Sequence, residues 1–117
     1  MTRILHLIHT PRHSGAEILV RDLCLLHAKQ GVHCAIASFC PAKSEFFPDI
    51  ERLRQSGTRT YFPASEPSKP GRWLHYLRAM RDFAPDVVFA HSVIPSLYGR
   101  LAAAASIGRH PSYVGVL

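Results

Sequence analysis

Short apolar runs alternate along this chain with longer stretches in which apolar residues recur at helical spacing. This alternation is typical of βαβ units and indicates a parallel sheet covered by helices. The apolar runs predict five strands, at 4–8, 32–39, 59–62, 87–90 and 112–116. The helical spacing predicts four helices, at 16–29, 46–55, 72–83 and 95–108. The proline-rich segment 63–71 is predicted to be a loop.

The order of these elements predicts an α/β fold with a Rossmann-like parallel sheet. Such a sheet would have the strand order 3-2-1-4-5, with right-handed crossovers and helices on both faces. Ligands of such sheets bind at the carboxyl ends of the strands, near the switch between strands 1 and 4. The loops that follow these two strands, at 9–15 and 91–95, are therefore the candidate ligand-binding loops.

The first loop places a glycine at the start of a helix. Residues 9–17 read HTPRHSGAE, which is neither the G-x-G-x-x-G dinucleotide fingerprint nor a P-loop. Gly15 would let an anionic ligand approach the helix N-terminus, where free amides and the helix dipole favour negative charge. Ser14 and Glu17 also have the spacing of a capping box, in which each side chain bonds the other's backbone amide. The two roles can coexist.

Histidines lie close to both loops. His91 directly follows strand 4, where it is a weak candidate for catalysis, and a structural role is the more common one. His6 and His9 are separated by an odd number of residues, which turns them to opposite faces of a strand. We therefore expect no metal site among His6, His9 and His13.

Composition limits the class of protein. The chain has 117 residues, 47% of them apolar and 19% charged, which suits one domain with a real core. Apolar runs are too short for a membrane-spanning helix, and the start lacks the features of a signal peptide, so a cytoplasmic location is predicted. The cysteines, Cys24, Cys34 and Cys40, are odd in number and show no C-x-x-C spacing. They are interpreted as structural residues, with Cys24 and Cys34 small and buried.

The charge is basic. Fourteen lysines and arginines against eight acidic residues give a net charge of +6, which suits phosphorylated ligands, anionic lipid or nucleic acid. The predicted helix at 72–83 carries basic residues around an apolar stripe: Arg72, His75, Arg78 and Arg81. This pattern is typical of a solvated face, and the alternative is contact with an anionic membrane surface. The chain carries no recognised nucleic-acid motif, so nucleic acid is not expected as a partner.

Three segments together resemble the N-terminal domain of family 4 (group 1) glycosyltransferases: ILHLI at 4–8, SGAE at 14–17 and APDVVFAHS at 84–92. The similarity extends over essentially the whole chain. It implies the GT-B architecture, two Rossmann-like domains with a cleft between them. Such enzymes transfer a sugar from a nucleotide-sugar donor with retention of configuration, and they need no metal or other cofactor.

The resemblance also assigns residues. It implies substrate-binding roles for six positions: Arg12, Ser14, Gly15, Glu17, His91 and Ser92. Gly15 would lie by the donor phosphates and the acceptor, and His91 and Ser92 would line the cleft. The family usually has two adjacent glycines in the first loop, and here Ser14 replaces the first of them.

The resemblance implies that residues 1–117 form a single partial domain, truncated after strand 5. This acceptor-side half would be inactive alone and would need a C-terminal nucleotide-sugar domain. Its acceptor would be a saccharide or a lipid-linked saccharide, with peripheral contact to the inner face of the membrane as one location. Apolar surface left uncovered at the end of the sheet would make the fragment self-associate. The alternative is a non-enzymatic Rossmann-like module that binds a phosphorylated ligand.

Overall fold

The computed structural model describes residues 2–91 in full and the backbone of residues 112–116. The strands are β1 (Arg3–Ile8), β2 (His33–Ser38), β3 (Arg59–Tyr61), β4 (Val87–His91) and β5 (Ser112–Val116). The helices are α1 (Gly15–Lys29), α2 (Phe47–Gln55) and α3 (Lys69–Phe83), and a 3₁₀ turn at Ser44–Phe46 leads into α2. The predicted helix at 95–108 lies outside the described residues.

All five strands are parallel and form one sheet in the order β3-β2-β1-β4-β5. This order confirms the predicted Rossmann-like fold. The chain leaves β1 toward β2 on one side and returns to β4 on the other, so the switch point lies at the carboxyl end of β1.

Side-chain alternation along the strands divides the core into two layers. Leu5 and Leu7 of β1 face α3 and pack with Tyr76 and Phe83. Ile8, on the opposite face, packs with α1 and α2 in a second cluster, whose other members are Val20, Cys24, Cys34, Ile36, Phe46 and Leu53. Burial on both faces explains why the strands read as nearly continuous apolar runs.

The start of α3 corrects the prediction for the segment 63–71. The helix begins at Lys69 rather than at residue 72, because Ser68 acts as its N-cap and accepts a hydrogen bond from the Gly71 amide at 3.3 Å. Pro70 fits the first turn, where a missing amide hydrogen costs nothing. The helix ends at Phe83, and its C-cap, Ala84, adopts a left-handed conformation with φ 51°.

Hydrogen bonds at the amino-terminal ends of β1 and β4, opposite the switch point, fix the register between these two strands. Arg3 and Asp86 exchange hydrogen bonds: the Arg3 amide donates to the Asp86 carboxylate at 2.9 Å, and the Asp86 amide donates to the Arg3 carbonyl at 2.8 Å. The resulting pairing sets Leu7 opposite Ala90. His6 and His91 therefore project from the same face of neighbouring strands.

Candidate functional site

The loop between β1 and α1 is held in place by its neighbour, the loop between β2 and α2. The Cys40 amide donates to the His9 carbonyl at 3.0 Å, and the Lys43 amide donates to the Pro11 carbonyl at 2.9 Å. The His13 amide donates to the Glu45 carboxylate at 3.1 Å. Three hydrogen bonds between these two loops thus hold the β1–α1 loop in a defined shape.

The capping-box prediction for Ser14 and Glu17 is wrong. Ser14 is the N-cap of α1, but its side chain makes no capping hydrogen bond; its hydroxyl donates instead to the Glu17 carboxylate. Glu17 is buried and lies in the first helical turn, where the positive end of the helix dipole stabilises a carboxylate. The side chain of the N-cap residue therefore leaves the first-turn amides of α1 uncapped.

The surface above Gly15 is open. A side-chain carbon built on Gly15 would meet no atom within 4 Å, and its φ is not left-handed. Neither packing nor backbone conformation therefore requires glycine at this position. Arg12, three residues earlier, is exposed and adds a cation to the same loop. This end of α1 can accept an anionic or polar group close to the backbone.

An ion-paired network anchors the loop to α2. The Asp49 carboxylate accepts from His13 Nε2 at 2.7 Å and from the Arg21 guanidinium at 2.9 Å. Burial opposes ionisation of Asp49, but the hydrogen bonds from His13 and Arg21 outweigh it and lower the pKa of the carboxyl. The His13 ring is half exposed and is oriented by this bond while its other face meets Phe46.

His91 is not part of the β1–α1 loop, and its environment is buried. It is buried, and its Nε2 lies 3.0 Å from Nδ1 of the equally buried His6, whose ring stacks on Phe89. Burial, together with the nearby His6, lowers the pKa of His91 to about 4. His91 is therefore neutral at pH 7 and can accept a hydrogen bond from His6 there.

The structure brings the predicted site residues together in two separate groups. Ser14 and Glu17 touch each other beside Gly15 and Arg12 on the β1–α1 loop. The described contacts of His91 join it to His6 and not to that loop. Ser92 lies outside the described residues.

Sequence reasoning missed the residues that support the site. Asp49 and His13 are 36 positions apart, and His6 and His91 are 85 apart, so neither pair produces a local pattern. One weak signal was available for Asp49, since an acidic residue near the start of a predicted helix is favoured by the helix dipole, but it does not name the partners.

Comparison with known proteins gives the family. The family model for Glycosyltransferase Family 4 matches residues 13–116. A comparison with curated proteins finds no match. Among the described residues, no helix is long and apolar enough to cross a membrane. The match begins inside the β1–α1 loop and includes all three described helices, and the chain accordingly belongs to glycosyltransferase family 4.

Proposed function

We propose that this chain is the acceptor-side domain of a retaining glycosyltransferase that uses a nucleotide-sugar donor and a saccharide or lipid-linked acceptor. The observation that carries the proposal is the uncapped, sterically open N-terminus of α1 at the switch point of a family 4 domain. In this proposal the β1–α1 loop forms one wall of a cleft, and a C-terminal nucleotide-sugar domain forms the other.

The chain's own groups would act by charge and position. In the transfer, the bond between the anomeric carbon and the donor phosphate oxygen breaks, a bond from that carbon to the acceptor oxygen forms, and the acceptor hydroxyl passes its proton to the leaving phosphate. Negative charge grows on the leaving phosphate, where the Gly15 and Ala16 amides and the Arg12 guanidinium would stabilise it. His13, held by Asp49, would present a polar ring edge to the acceptor. No metal is proposed for this chemistry.

The proposal is tested by measuring nucleotide-sugar binding and sugar transfer on this chain alone and on the chain joined to a nucleotide-sugar domain of the same family. We expect the chain alone to be silent and the joined protein to be active. Tight nucleotide binding by the isolated chain would contradict the assignment to the acceptor side. Tight binding of a simple phosphorylated ligand, with no transfer when joined, would favour the non-enzymatic alternative.

Substitutions at Gly15 separate a binding role from a structural one. The Cβ added by Gly15→Ala or Gly15→Val meets no atom within 4 Å, so the free energy of unfolding should not fall. Sugar transfer by the joined protein should fall progressively with side-chain size, because the ligand can no longer approach the helix backbone. Unchanged transfer in both variants would remove Gly15 from the site.

Arg12→Ala tests the electrostatic part of the same proposal. Removing the cation should lower transfer about tenfold or more, the effect expected for loss of one charge-assisted contact. Lys29→Ala is the matched control, because Lys29 is an exposed cation at the opposite end of α1. Equal effects of the two substitutions would show that only net charge matters.

A further inference from the structure

Three potential metal ligands meet between α1 and the sheet: His6 of β1, His27 of α1 and Cys34 of β2. One ring nitrogen of each histidine and the Cys34 sulfur all lie within 4.8 Å of one another. His6 and Cys34 are almost fully buried, and His27 is half-buried in the last turn of α1. The cluster lies away from the loop that carries Gly15, and it is distinct from the His6, His9 and His13 set considered in the sequence.

The distance between the Cys34 sulfur and the His27 ring nitrogen already fits tetrahedral coordination of a metal ion. Cys34 Sγ lies 3.6 Å from His27 Nδ1. Zinc bonds of about 2.3 Å to sulfur and about 2.05 Å to nitrogen, at a tetrahedral angle, put the two ligand atoms about 3.6 Å apart. An ion could bind these two atoms with little movement of either side chain.

His6 supplies an independent observation. Its Nε2 is buried and has no hydrogen-bond partner among the described residues, while its Nδ1 contacts His91 Nε2 at 3.0 Å. Leaving a buried ring nitrogen unpaired is costly, so a group that satisfies it is expected. If His6 donates its Nδ1 hydrogen to His91, Nε2 presents a lone pair. A metal-bound histidine usually shows this pattern, with the second nitrogen bonded to a supporting group.

Cys34 supplies the sulfur ligand of the cluster. Its sulfur is buried and lies within 4.8 Å of a ring nitrogen of His6 and of His27. A cysteine binds metal only after it loses its proton. A cavity of about 140 Å³ lies beside Cys34 and is bordered by Ala28 and Val32.

We propose that Cys34 Sγ, His27 Nδ1 and His6 Nε2 bind a zinc ion that ties α1 to β1 and β2. Nitrogen and sulfur donors favour zinc over magnesium or calcium, which prefer oxygen. Among the described residues, these three side chains would leave the fourth position of a tetrahedral ion open. Binding would release the Cys34 proton to solvent. The site would be structural, independent of the proposed sugar transfer.

The test uses the whole chain, stripped of metal by a chelator under reducing conditions. Adding one equivalent of zinc should raise the unfolding midpoint, since a ligand that binds only the folded state stabilises it. Cobalt(II) should give the thiolate charge-transfer band and the intense visible bands of a tetrahedral cobalt–sulfur site. The absence of a charge-transfer band, or no shift in the unfolding midpoint with zinc, would overturn the proposal.

Variants distinguish a built site from adventitious binding. Cys34→Ser should abolish the cobalt charge-transfer band. His27→Asn changes a half-buried residue and should leave the fold intact while zinc affinity falls at least about 100-fold. His33→Asn and Cys40→Ser are the matched controls outside the cluster, and both should bind zinc like the unaltered chain. Unchanged zinc affinity in His27→Asn, or a Cys24–Cys34 disulfide that forms while the reduced protein ignores zinc, would refute the site.

Discussion

At the scale of single residues, Asp49 ties the candidate loop to α2 through its hydrogen bond with His13. Its carboxylate, 8% exposed, satisfies both His13 and Arg21. Asp49→Asn removes the charge and should lower the free energy of unfolding by about 2 kcal/mol, the range for hydrogen bonds to charged groups. Denaturant unfolding measures the loss, and Glu51→Gln, an exposed carboxylate on the same helix, should change it by less than about 0.5 kcal/mol.

The same carboxylate predicts a pH dependence. The folded-state pKa of Asp49 is lowered, so its stabilisation is fully present above the unfolded value of about 3.9 and disappears as the pH falls through the folded value. The difference in unfolding free energy between the unaltered chain and Asp49→Asn should therefore be constant near neutrality and shrink below about pH 4. A difference that stayed constant into acid would show that Asp49 acts by shape rather than by charge.

At the scale of elements, the end of α3 holds a residue in an unfavourable conformation. Ala84 has φ 51° and ψ 62°, and the left-handed region costs an alanine about 1 to 2 kcal/mol. Ala84→Gly should raise the free energy of unfolding by about 0.5 to 1 kcal/mol after the entropy lost by glycine is subtracted. Ala64→Gly, in an exposed bend, should give no gain. A loss of stability in Ala84→Gly would contradict this account.

The strands and helices show which features of the fold the sequence pattern could predict. Strand order and helix positions followed from periodicity, because burial on both faces of a parallel sheet leaves apolar runs that few other folds produce. The first turn of α3 was missed because Pro70 reads as a loop residue, although it also suits the first position of a helix. The Ser14–Glu17 pair was recognised, but its hydrogen bond was assigned to the backbone when the two side chains bond each other.

At the scale of the whole molecule, the sequence located the candidate site but not its supports. The switch point follows from topology, which periodicity predicts. The His13–Asp49 and His6–His91 contacts depend on how α1 and α2 lie against the sheet, and side chains on separate elements carry no shared sequence signal. The zinc cluster has the same origin, since His6, His27 and Cys34 come from three elements.

The distribution of positive charge on α3 determines which face of the molecule would contact an anionic membrane surface. A lipid-linked acceptor, as proposed, would lie at such a surface. Arg72 pairs with Glu66 and His75 bonds the Tyr61 carbonyl, so both are used within the fold. Arg78 and Arg81 are exposed and share a helical face with Leu74, also exposed.

This pair of arginines predicts binding to anionic vesicles. Each basic residue near such a surface contributes about 1 kcal/mol, so replacing both Arg78 and Arg81 with alanine should weaken partitioning about 30-fold. Vesicle sedimentation with anionic and with neutral lipid measures the effect, which added salt should reduce. Arg52 and Arg54, exposed on α2 across the sheet, provide the matched double control. Equal losses in both double variants would mean that the net charge, and not the face of α3, attracts the molecule to the lipid.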